Sequence, residues 1–340
     1  MSFKLKKYEN NPVLKANPRN SWEDLCVLNP GVWYENNKFY MLYRAAGSDV
    51  THYIYLGLAE SSDGFNFTRS FDSPVLSPDF NGVDGGCVED PRIIKMGDTF
   101  IITYASRPFA PGQYWSDTKK DFKEFFEGAP YFIQANSTQT YLALSKDLIR
   151  FKKCGRITDV RYDDRDVMLF PEKIGGKYVR LSRPAERVGK EYGCSVPSVF
   201  INFSDEISEW DENQNKLLIT AEQDWESKKI GGSCPPLKTA DGWIFIYHGV
   251  SRDDDTYRVG VLLLDLNDPA KIIARTKDFI MEPEHEYETS GYYNGCVFPT
   301  GNVIVDGTFY VYYGAADKYC CAATCSVPEL ISHLKTNCRA

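Results

Sequence analysis

Five times along the chain, a proline opens a short apolar strand, a polar turn follows, and a second strand rich in aromatic residues returns. The prolines are Pro30, Pro91, Pro171, Pro236 and Pro299. The turns read Glu35-Asn36-Asn37, Met96-Gly97-Asp98, Gly175-Gly176, Ala240-Asp241 and Val305-Asp306-Gly307, all built from residues that favour tight reversals. The returning strands lie at Lys38 to Tyr43, Thr99 to Tyr104, Lys177 to Leu181, Gly242 to Tyr247 and Thr308 to Tyr313. A third strand often follows, as in Tyr55-Leu56-Gly57-Leu58-Ala59 or Val259 to Leu264, and leads to a Ser-x-Asp or Leu-Asp turn. The repeat interval is roughly 60 to 80 residues, and the only helical periodicity lies in the tail, Pro328 to Lys335. Three or four antiparallel strands per unit, in five units, predict an all-β, five-bladed β-propeller with a short C-terminal helix. A β-sandwich does not explain five copies of one unit. Because the blades of a propeller close on one another, residues 1–340 are expected to form a single domain.

Charge and composition remove several functions. A net charge of −8 lacks the basic footprint that nucleic acid requires. No run approaches the roughly 18 apolar residues of a membrane span, so no membrane partner is expected. The first residues, Met1 to Lys7, are basic but carry no apolar stretch behind them, which predicts no secretory signal and a cytoplasmic location. Ten cysteines are spread over a chain too long to need disulfide staples and are expected to be buried, reduced thiols. The four histidines, His52, His248, His285 and His333, stand in distant segments, and no metal is expected. Gly85-Gly86 and Gly231-Gly232 open no helix and make no nucleotide motif, and no Gly-x-Ser-x-Gly elbow is present. Carboxylate chemistry remains.

Propeller blades converge on an axial channel, so functional side chains are expected where blades begin and where aromatic strands end. The beginnings carry Asn29-Pro30-Gly31, Glu89-Asp90-Pro91-Arg92 and Pro171-Glu172-Lys173; the ends carry Tyr43-Arg44, Ser182-Arg183-Pro184, Tyr247-His248 and Ala316-Asp317. Carboxylates and arginines bind hydroxyl pairs in a bidentate way, and aromatic faces cover the C–H faces of sugars, so such a funnel suits a polyol. On spacing alone, Glu-Asp-Pro-Arg also fits a turn with a local ion pair, and His248 also fits a packed, hydrogen-bonded histidine.

Taken in order, Gly86 to Ile93, Leu169 to Tyr178, Trp225 to Gly231, Gly242 to Val250, Val297 to Gly301 and Tyr312 to Asp317 resemble glycoside hydrolase family 130 over nearly the whole chain. That resemblance implies a five-bladed propeller acting on β-mannosides, with no resident cofactor. In the family, inverting phosphorylases use inorganic phosphate and a subgroup of hydrolases uses water. Asp90 then corresponds to the general acid, which protonates the leaving oxygen through a sugar hydroxyl. Glu89 and Arg92 would fix its orientation and charge, and Asn29, Arg44 and Asp317 would hold the mannose hydroxyls.

The nucleophile side separates the two activities. The family's phosphorylases read His-Arg-Pro where this chain reads Ser182-Arg183-Pro184, with the histidine helping to bind phosphate. Lys173 and Arg183 persist as cations that could still hold a phosphate co-substrate. Glu186 and Glu226 stand nearby in motif order, and either could deprotonate a water, as inversion by hydrolysis requires. The segment Ser106 to Trp115 also resembles the loop of the hydrolytic, β-1,2-mannosidase-like subgroup. The expectation from sequence is therefore an inverting β-mannosidase acting on β-1,2-linked manno-oligosaccharides. A phosphorylase forming mannose 1-phosphate is the alternative, and a non-catalytic glycan-binding propeller is a further one. Homo-oligomerisation is left open.

Overall fold

The computed structural model describes residues 3–116 and 128–338. Five antiparallel sheets make the five blades of a propeller. Blade 1 holds Cys26–Glu35, Lys38–Ala46, Ile54–Ser61 and Thr68–Arg69, and blade 2 holds Glu89–Met96, Thr99–Ser106, Gln139–Ser145 and Phe151–Arg156. Blade 3 holds Met168–Leu169, Tyr178–Ser182, Val199–Ser204 and Lys216–Ile219. In blade 4, Lys229–Gly232 and Leu237–Thr239 both pair with Gly242–Val250, followed by Tyr257–Leu264 and Ile272–Arg275. Blade 5 holds Val297–Val305, Thr308–Ala315 and Tyr319–Ser326, and its fourth strand is Lys6–Lys7 from the start of the chain. The ring is thus closed by pairing Lys6 with Thr324 and Lys7 with Ala323. The expected tail helix spans Val327–Asn337, capped by the Ser326 side chain with Pro328 in its first turn.

The core lies between blades rather than inside one. Along Gly242–Val250, Ile244 and Ile246 pack towards blade 5, against Val311 and Tyr313. Trp243, Phe245 and Tyr247 pack towards blade 3, against Phe170 and Leu181. Successive residues of a strand face opposite sides, so a blade buried on both faces is apolar at every position. The prolines sit differently from the sequence expectation. Pro30, Pro91 and Pro299 lie within inner strands at register shifts, and Pro171 follows its strand. Pro235-Pro236 interrupts the inner strand of blade 4, because proline cannot donate to the ladder.

One polar cluster recurs in four blades. A tyrosine near the end of the second strand donates to a carboxylate from the segment leading into that blade, and a cation from the outer strand pairs with the same carboxylate. The sets are Tyr43, Glu23 and Arg69; Tyr104, Asp84 and Lys153; Tyr247, Glu226 and Arg275; and Tyr313, Glu288 and Lys7, with tyrosine contacts of 2.8–3.0 Å and cation contacts of 2.6–2.8 Å. Blade 3 departs from the pattern. Ser182 occupies the tyrosine's position, and among the described residues its buried Oγ has no hydrogen-bond partner. Asp164 leads into the blade and accepts from the Arg183 backbone N–H at 3.0 Å, while burial pushes its carboxyl up to about 7.

That shift has a definite sign. Folded Asp164 holds its proton up to about pH 7, whereas an unfolded aspartate releases it near pH 3.9. The contribution of Asp164 to stability is therefore lost as pH rises through this window. Asp164→Asn is expected to raise Tm by several degrees at about pH 8 and to leave it nearly unchanged at about pH 4. Thermal unfolding at the two pH values checks this; a variant less stable than the parent at pH 8 would contradict it.

Candidate active site

The inner strands of blades 1 and 2 each break register beside an X-Pro pair, and this re-aims one polar side chain at the channel. Asn29 and Asp90 hold left-handed backbone at φ +44° and +54°, and Asp317 does the same at φ +54° in the turn that joins Thr308–Ala315 to Tyr319–Ser326 in blade 5. Asn and Asp tolerate that region better than other non-glycine residues, and bulges commonly redirect side chains at functional sites. Asp90 Oδ1 accepts from Asn29 Nδ2 at 2.7 Å and from Arg44 Nη1 at 2.9 Å. Among the described residues nothing donates to Oδ2. Arg44 also pairs with Glu89 at 3.0 Å. Burial acts to raise the Glu89 carboxyl, but Arg44, Arg107 and Arg165 together hold it below the usual glutamate range. Gly314 makes room for this arrangement, because a Cβ there would meet Asn29 Oδ1 at 1.8 Å.

Asn29, Arg44, Asp90 and Asp317 line one part of a cavity of about 420 Å³. Arg165, Arg183, Lys229 and His248 line another, and Tyr257, Tyr293 and Phe298 add aromatic surface. The carboxylates among these cations are already engaged. Asp163 forks Arg165 at 2.9 and 2.6 Å, and Asp166 accepts from Arg183 at 2.6 Å through Oδ2 and from Arg92 at 3.3 Å through Oδ1. Burial lowers the Lys229 ammonium to about 8, helped by repulsion from Arg183 and Arg165. Its Nζ donates to the Tyr257 hydroxyl at 2.6 Å. Burial likewise lowers His248 to about 3, so it is neutral at pH 7, 3.8 Å from Asp166 and 3.2 Å from Ser233 Oγ. Gly231 keeps this corner open, since a Cβ there would lie 2.4 Å from the His248 ring.

Of the residues expected from sequence, Asn29, Arg44, Asp90, Arg183, His248 and Asp317 meet in this cavity. Glu89 and Arg92 stand behind it. Arg92 donates to the Asp90 carbonyl at 3.0 Å and the Ser233 carbonyl at 2.9 Å, which fixes the backbone that carries Asp90. Three residues are elsewhere. Lys173 is exposed on the blade 3 turn, with its ammonium 4.2 Å from the centre of the Tyr178 ring. Glu186 is exposed and accepts from the Asp163 backbone N–H at 2.8 Å, while its neighbour Ala185 faces the cavity. Glu226 is fully buried as the carboxylate of blade 4's tyrosine cluster, bonded to Tyr247 and Arg275. None of the three lines the cavity. Sequence reasoning missed Arg165, Lys229, Asp163 and Asp166, which lie upstream of the proline taken as each blade's start. Lys229 stood inside the Trp225 to Gly231 motif, and that was the available signal.

A family model described as beta-1,4-mannooligosaccharide phosphorylase, of glycoside hydrolase family 130, matches residues 4–336. A 1,2-beta-oligomannan phosphorylase from a Thermoanaerobacter species is 37% identical over 320 residues, covering 93% of this chain and 95% of that protein. A beta-1,2-mannobiose phosphorylase from the same organism is 36% identical over 328 residues, again covering 93% and 95%. The solved Listeria innocua beta-1,2-mannobiose phosphorylase in complex with beta-1,2-mannobiose superposes with a TM-score of 0.79. It covers 98% of this chain and 99% of its own, at 24% identity, which bears on the fold alone.

Asp90 lines the cavity, whereas Glu226 is held in a scaffold cluster. Asp90→Asn is expected to keep the parent Tm and to lose on the order of 10²-fold or more in kcat, as removal of a general acid does. Glu226→Gln is expected to lower Tm markedly, because Arg275 loses its buried partner, while the folded fraction keeps near-parental kcat. Unfolding curves measured beside specific activity per folded molecule test both. A large kcat loss in a stable Glu226→Gln protein would return that residue to the chemistry.

Proposed function

The chain belongs to glycoside hydrolase family 130, and on that premise we propose that it is an inverting β-mannoside phosphorylase acting on β-1,2-linked manno-oligosaccharides. The observation that carries this reading is the convergence of Arg165, Arg183 and Lys229 on one part of the cavity, where every carboxylate is already bound by an arginine. A phosphate near −2 needs several convergent donors, and arginine forks suit its oxygens. An attacking water needs a carboxylate free to take its proton. The hydrolytic expectation rested on Glu186, Glu226, the change to Ser182 and the resemblance of Ser106 to Trp115 to a loop of the hydrolytic subgroup. Glu186 and Glu226 lie outside the cavity, and Ser182 belongs to the blade 3 position where other blades carry a scaffold tyrosine. The two Thermoanaerobacter relatives, named as phosphorylases of 1,2-linked mannosides, support both the reaction and the linkage.

In this mechanism a phosphate oxygen held by Arg165, Arg183 and Lys229 attacks the anomeric carbon, and the bond to the leaving oxygen breaks. Asp90, oriented through Oδ1 by Asn29 and Arg44, supplies the leaving oxygen's proton from Oδ2, by way of a sugar hydroxyl as the family implies. The proton shed by the new phosphate monoester restores Asp90. The products are α-mannose 1-phosphate and a mannoside shorter by one unit. Asn29, Arg44 and Asp317 hold the hydroxyls of the transferred mannose.

With β-1,2-mannobiose as substrate, turnover is expected to require phosphate and to yield mannose 1-phosphate. Release of two mannoses at a rate indifferent to phosphate would overturn the reading in favour of hydrolysis. The charge on Lys229 adds a pH signature. It is lost as pH rises through about 8, so kcat/KM for phosphate should fall above that value. Lys229→Arg should move this limb to higher pH, because a guanidinium stays charged. Lys229→Ala should raise the phosphate KM about tenfold or more, in line with one lost charged hydrogen bond.

A further inference from the structure

After the second strand of blade 2, the chain does not turn directly into the third. Residues 107–116 run as a strap across the top of blade 1 to blade 5. The strap is tied to blade 1 by Gly112 N–H to the Thr51 carbonyl at 3.1 Å and by Gln113 Nε2 to the Ser48 and Asp49 carbonyls at 3.1 and 3.2 Å. At its far end Trp115 packs 4.8 Å from the His52 ring and 4.3 Å from the Tyr292 ring. Between these anchors the Tyr114 hydroxyl donates to Asp317 Oδ2. Among the described residues nothing donates to Asp317 Oδ1, and Asp317 lines the cavity with Asp90.

We propose that Tyr114 is a positioning residue for glycoside binding: its hydroxyl, delivered by the strap, fixes one oxygen of Asp317 and leaves the other presented to the hydroxyls of the mannosyl unit beside Asp90. The inference rests on the reading of Asp317 as a sugar ligand. The surroundings explain why such a donor is needed. Ala316 and Asp317 stand in the three-residue turn Ala316-Asp317-Lys318, with left-handed backbone at φ +48° and +54°, so the backbone alone leaves the carboxylate's rotation open. The groups facing Asp317 are Arg44 and Cys26 of blade 1, Glu89 and Asp90 of blade 2, Tyr114 of the strap, Tyr257 of blade 4, and Tyr293 and Cys296 leading into blade 5. Burial raises its carboxyl, and Asp90 and Glu89 add to that, against Arg44 and the Tyr114 hydrogen bond. Removing the tyrosine hydroxyl withdraws one of the two groups that favour the ionised form. A protonated Asp317 accepts fewer hydrogen bonds from sugar hydroxyls.

The test is a double-mutant cycle on steady-state kinetics with β-1,2-mannobiose and inorganic phosphate. Tyr114→Phe keeps the ring and its packing on Trp115. It should raise the mannobiose KM about tenfold, leave the phosphate KM unchanged, and move the acidic limb of kcat/KM for mannobiose to higher pH. Asp317→Asn should also raise the mannobiose KM, and Tyr114→Phe added to it should have no further effect, because the two residues act as one unit. An unchanged mannobiose KM in a folded Tyr114→Phe protein, an equal rise in phosphate KM, or full additivity of the two substitutions would overturn the proposal. If the parent enzyme proves indifferent to phosphate, the reading of the reaction falls, while the same cycle, read as mannose release, still decides the role of Tyr114.

Discussion

A buried carboxylate shared by a tyrosine and an outer-strand cation sets the geometry of four of the five blades. Taking such a carboxylate out of water costs several kcal/mol, which is recovered only when all of its partners are in place. Each cluster therefore ties three parts of a blade that are far apart in sequence: the segment leading in, the second strand and the outer strand. In blade 5 the outer cation is Lys7, so the same cluster also locks the closure of the ring. A register slip of one residue in the second strand would turn the tyrosine away and leave the carboxylate unpaired.

The cavity follows from that register. Strand residues alternate in facing, so a tyrosine committed to its cluster directs the next residue the other way. The residue after Tyr43 is Arg44, the residue after Tyr247 is His248, and the residue after Tyr313 is Gly314, whose missing side chain admits Asn29. In blade 3 Ser182 stands in the tyrosine's place, and the next residue is again a cavity cation, Arg183. Scaffold and site are thus adjacent positions of one strand. The scaffold contact defines the direction of the functional one.

This adjacency accounts for what sequence could and could not reveal. The five-fold unit was legible because hairpin turns and aromatic strands leave a period that no other fold explains. Arg44, Arg183, His248 and Asp317 were legible because they end those strands, and Asn29 and Asp90 because each precedes a proline at a bulge. Glu226 was misread because a glutamate beside a tryptophan looks alike in sequence whether it faces the channel or a scaffold tyrosine. Only comparison with Glu23, Asp84 and Glu288, each upstream of its own blade's tyrosine, exposes the pattern. Arg165 and Lys229 were missed for a related reason. Pro171 lies beyond the inner strand of blade 3, and Pro235-Pro236 splits that of blade 4, so the cavity-facing residues of both blades lie upstream of the punctuation that marked the repeat.

The cavity that results is divided in charge. Around Asp90, Arg44 serves three carboxylates, Glu89, Asp90 and Asp317, with Arg107 a second partner of Glu89 at 3.7 Å. Opposite in sign, Arg165, Arg183 and Lys229 together with Arg92 outnumber Asp163 and Asp166, and His248 is neutral there. At separations of a few ångströms among largely buried side chains, such imbalances act strongly on anything that enters. An anion is drawn to the cationic part and repelled from the carboxylates. A polyol finds acceptors among those carboxylates and donors on Arg44 and Asn29. For the phosphorolysis proposed above, this sorts the two substrates to different parts of one cavity before any bond is made. That sorting is the contribution a rigid propeller can make to a reaction whose main requirement is the placement of charge.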